Sequence, residues 1–260
     1  MPPRIAIPMP HSIDLDYAER SILQYERAVQ QAGGEPVRTP LDRPTGEMLK
    51  IEITKIMESC DGVLLPGSKA DVDPSRFNAT RSPHTAIADP RRDTVDDLLL
   101  QDAYNLRKPI LGICYGLQSL NVYRSGSLIQ HIPDFLPEEL RTRVNHEAGK
   151  KVAVAHAVEI ESDSKLAEIL CGDGRPRPTG GAQLMLPVNS SHHQSADLIG
   201  DGLCIAARCP DDGIIEALEG TSADHFVLAV QWHPERSVDD DPASRAIFQA
   251  LVRAAETACK

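Results

Sequence analysis

The stretch Pro109-Ile110-Leu111-Gly112-Ile113-Cys114-Tyr115-Gly116-Leu117-Gln118 decides how this chain is read. A short apolar run, as expected of a strand buried on both faces, leads directly into a cysteine. Glycines stand two residues to either side of it. This is the nucleophile-elbow pattern with cysteine in the serine position. Such a turn lifts one side chain above the sheet, and its neighbours must be small because strand and helix backbones crowd together there. The Cys114 thiol then stands at a helix N-terminus, where backbone N–H groups and the dipole favour thiolate. The Tyr115 N–H faces the place where a tetrahedral oxyanion would form. A buried structural thiol is the competing reading of the pattern taken alone.

Upstream of the elbow, strand and helix signals alternate. Strands are expected at Arg4–Pro8, weakly around Pro36-Val37, and at Gly62–Pro66. Helices are expected over Tyr17–Ala32, Glu47–Ser59 and Thr94–Arg107. In the first, Ile22, Tyr25, Ala28, Val29 and Ala32 share one face, and Gly33-Gly34 supplies the stop. Thr94 and Asp97 have capping-box spacing. Lys69–Pro90, rich in Pro, Asp, Ser and Arg, reads as a long surface loop. The alternation implies a parallel sheet covered on both faces. Downstream the character changes. Lys151–Glu161 alternates as a strand, and Leu203–Arg208 with Ile214–Leu218 reads as a hairpin around Pro210–Gly213. Phe226–Val230 is another apolar strand, Pro242–Cys259 a closing helix, and Cys171–Gly181 a Gly/Pro-rich insert read as a mobile loop. One α/β domain over residues 1–260 is expected, a three-layer αβα sandwich with a mostly parallel central sheet and an antiparallel β extension.

Composition limits the function classes. The chain has 260 residues, 41% hydrophobic and 25% charged, with a formal charge of −11. That acidity disfavours general nucleic-acid or anionic-membrane binding. No apolar run approaches the roughly 18 residues of a membrane span. The start Met1-Pro2-Pro3-Arg4-Ile5 has no apolar signal core. The six cysteines (Cys60, Cys114, Cys171, Cys204, Cys209, Cys259) are scattered and form no CxxC pair, so free thiols and a cytoplasmic location are expected.

A cysteine nucleophile needs a base. His233, in Val230-Gln231-Trp232-His233-Pro234-Glu235, follows an apolar strand and so emerges at the edge where Cys114 also emerges. Glu235 can reach back to orient the imidazole, completing a Cys–His–carboxylate triad. An α/β-hydrolase would order its triad nucleophile, acid, histidine; here the acid comes last.

Gly112–Gln118 together with Trp232-His233-Pro234-Glu235 resembles class I glutamine amidotransferase domains, which implies a flavodoxin-like arrangement of the sheet. Further segments resemble the γ-glutamyl-γ-aminobutyrate hydrolase family (the C26 peptidase group). These are Leu64–Ser68 with Asp71–Pro74, Leu111–Val122, Val188–Gln194, Pro210–Leu218 and Val230–Glu235. The resemblance runs from Arg4 to about Phe248. It implies a free-standing hydrolase of γ-glutamyl amides acting through a γ-glutamyl thioester on Cys114, with His233 and Glu235 as base and orienter. It also implies an oxyanion hole from Gly67, Ser68 and Tyr115. Its glutamyl pocket maps onto Gln118, Asn189, Ser190, Ser191 and His192. Tyr115 stands where relatives usually carry Arg, Gly67-Ser68-Lys69 where many carry Gly-Gly, and His131 where Asp is commoner. Tyr115 is therefore expected to alter contacts at the pocket mouth.

No cofactor and no metal are expected. There is no Walker A loop or GxGxxG. Neighbours His192 and His193 would point to opposite sides of an extended segment, and neither they nor His146 and His156 show metal-ligand spacing. His192 is read as a pocket wall and His193 as packing, Trp232 as core or pocket floor, and Arg91-Arg92-Asp93 as a helix-start ion pair rather than a substrate contact. The expected partner is a small γ-glutamyl substrate, without nucleic acid or membrane, on a homodimer by mild preference. The competing functions are a glutaminase subunit passing ammonia to a synthetase and a non-catalytic binding protein of the same fold.

Overall fold

The apolar runs at Ile5–Pro8, Gly62–Leu65, Ile110–Ile113 and Val227–Val230 are buried throughout. Such strands are satisfied only in a sheet with helices on both faces. The computed structural model of the protein, which describes residues 1–42, 46–172 and 183–258, has that arrangement. In chain order the elements are β1 (Arg4–Pro8), α1 (Leu15–Gln31), β2 (Glu35–Thr39), α2 (Glu47–Ser59), β3 (Gly62–Leu65), α3 (Pro90–Asn105), β4 (Ile110–Ile113) and α4 (Tyr115–Tyr123). There follow β5 (Leu128–Ile129), α5 (Ile132–Phe135), β6 (His156–Ile160), α6 (Lys165–Gly172), β7 (Leu184–Val188) and β8 (Ser195–Ala196). The chain closes with β9 (Leu203–Arg208), β10 (Ile215–Gly220), β11 (Val227–Val230) and α7 (Pro242–Ala258).

Nine strands form the main sheet in the order β2-β1-β3-β4-β11-β10-β9-β6-β7. From β2 to β11 all pairs are parallel. From β11 to β7 all are antiparallel. One face packs against α1, α6 and α7, through residues such as Ile22, Leu170 and Phe248. The other packs against α2, α3 and α4, through Ile53, Leu99 and Leu120. The three-layer architecture with its antiparallel extension is as expected. Because β3, β4 and β11 are adjacent and parallel, the segments leaving them emerge side by side at one edge, where open α/β sheets bind ligands.

Several boundaries differ from the sequence reading. α3 starts at Pro90 rather than Thr94. Asp89 caps it by accepting from the Arg92 N–H, Pro90 fits the first turn, and Thr94 Oγ1 bonds back to the Pro90 carbonyl. β6 begins at His156, not Lys151, because its pairing partner β7 reaches only as far as Val188, opposite His156. β7 and the small β5–β8 pair carried too little pattern to be anticipated. The Lys69–Pro90 segment contains a 3-10 turn at Pro74–Phe77 and a bridge between Asp71 and Ala88. Of the Cys171–Gly181 insert, Cys171 and Gly172 close α6; the remainder, like Cys259, lies outside the described residues. The five described cysteines are free, and no described helix is long and apolar enough to cross a membrane.

Candidate active site

The elbow forms as its glycines require. A Cβ on Gly116 would lie 2.2 Å from the Leu65 carbonyl oxygen, and one on Gly112 would lie 2.8 Å from that of Gly116. α4 therefore sits against β3 and β4 at a distance that excludes any side chain. Cys114 takes φ 52° and ψ −105°, a strained backbone for a non-glycine residue, and its N–H is held by the Val230 carbonyl at 2.8 Å.

The structure brings Cys114, His233 and Glu235, the expected triad, to one sheet edge. A Cβ placed on Gly67 would meet His233 Cε1 at 2.9 Å and Cys114 Cβ at 3.6 Å, so this glycine lies in contact with both. His233 Nδ1 is 2.7 Å from Glu235 Oε1, which leaves Nε2 for other work. All three residues are buried. Burial holds His233 below the ordinary imidazole range, against the pull of Glu235. Burial also opposes the Glu235 carboxylate, but His233 and Arg236 outweigh it and keep that carboxyl below its usual range. Burial pushes the Cys114 thiol up to about 12, with Arg236 opposing. Burial thus opposes both the thiolate that the elbow favours and the imidazolium that Glu235 favours.

The oxyanion candidates differ in availability. The Gly67 N–H donates to Tyr25 Oη at 3.0 Å. Ser68 Oγ accepts from the Ala70 N–H. Tyr115 offers its backbone N–H at the elbow, where that group favours the thiolate of Cys114. Its side chain is not at a pocket mouth, correcting the expectation. The Tyr115 hydroxyl donates to Asp93, and the Arg92 guanidinium lies 4.9 Å over its ring. Arg92 is fully buried, pairs with Asp96 at 2.7 Å, and donates to the Pro66 and Pro10 carbonyls. It thereby anchors the chain just before Gly67. The ion pair at this helix start joins Arg92 to Asp96 in the core, and Asp93, read as its partner, pairs instead with Arg76 at 2.9 Å.

Each residue mapped to the glutamyl pocket has an internal partner. Gln118 Nε2 donates to the Gln194 carbonyl and Gln231 Oε1. The Asn189 amide exchanges two hydrogen bonds with the His233 backbone. Ser190 Oγ donates to the His146 carbonyl, and Ser191 Oγ accepts from Arg236 Nη1. His192 Nδ1 donates to the Gln194 carbonyl. His193, read as packing, instead faces Asp71 at 3.1 Å, which raises its pKa.

Two cavities adjoin this edge, of about 410 Å³ and about 300 Å³, and share Lys150 and Arg236 in their walls. Trp232 lines the larger one, as a pocket floor should. Sequence reasoning missed Tyr25, Arg92, Lys150 and Arg236. Tyr25 looked like one more apolar helix position, and nothing local distinguishes the two basic cavity residues from solvated ones. Separately, three histidines the spacing set aside as ligands, His146, His156 and His192, face one carboxylate, that of Glu216. Separation along the chain hid this, because they come from different segments.

Comparison with known proteins agrees with the geometry. A glutamine amidotransferase-like protein of Rickettsia prowazekii (strain Madrid E) is 33% identical over 266 residues, covering 89% of this chain and 88% of the relative. The γ-glutamyl-γ-aminobutyrate hydrolase of Escherichia coli (strain K12) is 31% identical over 241 residues, covering 91% and 85%. Among solved structures, the glutaminase domain of Trypanosoma brucei CTPS with bound acivicin superposes with a TM-score of 0.60 at 20% identity, covering 98% and 94%. A GMP synthase component from Thermoplasma acidophilum gives 0.62 at 15%, covering 99% and 96%. These two establish the class I glutamine amidotransferase fold. The peptidase C26 family model matches residues 9–235. With nearly the whole chain matched and hydrolases among its relatives, this protein belongs to the peptidase C26 family.

Proposed function

We propose that this protein hydrolyses γ-glutamyl amide bonds and releases glutamate through a thioester on Cys114. The carrying observation is the 2.7 Å contact of His233 Nδ1 with Glu235 Oε1, beside the strained Cys114 elbow. Cys114 Sγ attacks the γ-carbonyl carbon as His233 Nε2 takes the thiol proton. The oxyanion is met by the backbone N–H groups of Tyr115 and Ser68, and of Gly67 once Tyr25 yields it. The C–N bond breaks, the amine leaves with the proton from His233, and water, deprotonated by His233, opens the thioester and frees the thiol. Glu235 stabilises the imidazolium at both stages. Starting from a neutral pair, the thiolate forms only during attack.

Lys150 and Arg236 supply positive charge suited to the α-carboxylate of a glutamyl group. Asn189 lines the larger cavity and Ser191 is tied to Arg236 of its wall, while Gln118, Ser190 and His192 are buried away from it. The name of the E. coli relative supports γ-glutamyl-γ-aminobutyrate or a related amine derivative as substrate.

The test is glutamate release from a panel of γ-glutamyl amines, γ-glutamyl peptides and glutamine, with Cys114→Ala in parallel. Release from one amine class, lost in Cys114→Ala, is the expected result. Release that survives in Cys114→Ala refutes the mechanism. The name of the Rickettsia relative favours a second reading, a glutaminase serving a synthetase partner. In that case solo turnover is confined to glutamine and rises when the partner is added.

A further inference from the structure

Outside the triad, four titratable side chains converge in the antiparallel half of the molecule. Glu216, on β10, is fully buried. Its Oε1 lies 3.0 Å from His156 Nε2, 3.2 Å from His146 Nδ1 and 3.6 Å from His192 Nε2. All three imidazoles are more than nine-tenths buried. His146 comes from the segment between α5 and β6, His156 opens β6, and His192 lies ahead of β8.

The outer nitrogens decide what the inner ones present. His146 Nε2 lies 2.8 Å from Asp212 Oδ2, so its hydrogen is directed to that carboxylate. His192 Nδ1 lies 3.0 Å from the Gln194 carbonyl oxygen, which can only accept. His192, which burial keeps neutral, therefore aims its Nε2 lone pair at an anionic oxygen, and His146 does the same from Nδ1 unless it takes up the second proton that Asp212 and Glu216 favour. Neither nitrogen has a hydrogen-bond partner among the described residues, and neither does Glu216 Oε2. Buried lone pairs meeting a carboxylate repel unless a cation lies between them. A proton on His146 answers only one of the two.

A divalent ion answers both. With bonds of about 2.0–2.2 Å, adjacent ligand atoms of a tetrahedral site lie about 3.3–3.6 Å apart. The ligand atoms of His146, His156 and Glu216 lie within 4.8 Å of one another, the two nitrogens 3.2 and 3.0 Å from Glu216 Oε1, and His192 Nε2 stands 3.6 Å from that same oxygen. An ion of charge two balances the Glu216 and Asp212 carboxylates. Imidazole donors favour a borderline ion of the zinc class over calcium or magnesium. Histidines that donate their second nitrogen to a carboxylate or a carbonyl have the orientation typical of metal ligands.

We propose that His146 Nδ1, His156 Nε2, His192 Nε2 and Glu216 bind one divalent ion of the zinc class, with Asp212 and the Gln194 carbonyl orienting the histidines. Four protein ligands leave no open position, so the ion is structural rather than catalytic. It ties the Asn189–Gln194 segment, which also braces His233, to β6 and β10.

The test uses the full chain, stripped with a strong chelator, incubated with zinc chloride, desalted, and assayed for zinc by mass spectrometry. Wild type and Cys114→Ala are expected to retain about one zinc per chain, with a raised Tm. His156→Gln and Glu216→Gln are expected to lose it. Asp212→Asn should bind about 10–100-fold more weakly. Cobalt(II) in wild type should give the visible bands of a tetrahedral site without the near-ultraviolet charge transfer of a thiolate, which separates this site from one using Cys209. Zinc in wild type no higher than the buffer blank overturns the proposal. So does retention unchanged in both His156→Gln and Glu216→Gln, or a thiolate band. Should those two variants fail to fold, the wild-type zinc content and cobalt spectrum decide. None of these readouts is an activity, so the outcome leaves the hydrolase reading untouched.

Discussion

Asn189 and His233, distant in sequence, are joined by a two-point amide clamp. Asn189 Nδ2 donates to the His233 carbonyl at 2.9 Å, and Asn189 Oδ1 accepts from the His233 N–H at 3.0 Å. The clamp fixes the backbone of His233, the proposed base, while Glu235 fixes its ring. Asn189→Ala should lower kcat by about 10²-fold, the scale of a 1 Å misplacement, with KM much less affected. Steady-state kinetics on the best substrate of the panel checks this. A rise in KM with kcat unchanged would assign Asn189 to substrate binding instead.

Glu235→Gln keeps the shape of the orienting group and removes its charge. Loss of imidazolium stabilisation should lower kcat by about 10²–10⁴-fold, without abolishing turnover. Single-turnover assays with circular dichroism as a folding control measure it. Activity within twofold of wild type would remove Glu235 from the triad.

The pH dependence follows from the neutral pair with which the proposed mechanism starts. In the proposed mechanism His233 acts unprotonated, and burial lowers its pKa from the ordinary 6.5. The active form therefore persists below 6.5, and the acid limb of kcat/KM should have its midpoint under that value. The thiol shift has the opposite sign. With the thiol raised from 9.0 to about 12, alkylation of Cys114 by iodoacetamide should be slow near neutrality and still rising past pH 9. A plateau in the alkylation rate at pH 6–7 would indicate a resting thiolate–imidazolium pair (roughly the range for activated cysteines).

Gly116→Ala tests the crowding at the elbow. The new methyl would sit 2.2 Å from the Leu65 carbonyl oxygen, which is backbone and cannot swing aside. The strain should cost about 1–3 kcal/mol or more, seen as a lower denaturant midpoint, with activity falling as Cys114 shifts.

Arg92→Met breaks a buried pair that also anchors the Pro66 carbonyl ahead of Gly67. Leaving Asp96 uncompensated should cost about 3–5 kcal/mol. The double variant Arg92→Met/Asp96→Leu should recover part of that stability, but not the activity that depends on placing the Gly67–Ser68 turn. Chemical denaturation and kinetics on both variants separate the two effects.

Local sequence carried much of this protein. The short apolar runs marked β1, β3, β4 and β11, because a strand buried on both faces has no polar positions to spare. The elbow was legible from Gly112, Cys114 and Gly116, since only glycine fits where α4 touches β3. His233 with Glu235 was legible because two residues across a short turn already reach each other. What local pattern could not carry was decided by contacts between distant segments. Burial, a property of the whole fold, raises the Cys114 thiol against what its place in the elbow favours. Asn189 became a brace for His233, Tyr25 took up the Gly67 N–H, and Arg92 reached the Pro66 carbonyl only once the sheet order set β1, β3 and β11 around β4. His146, His156 and His192 meet at Glu216 for the same reason. Hydrogen bonds and ion pairs act over a few ångströms, and it is the packing of layers, not separation along the chain, that brings such groups within that reach.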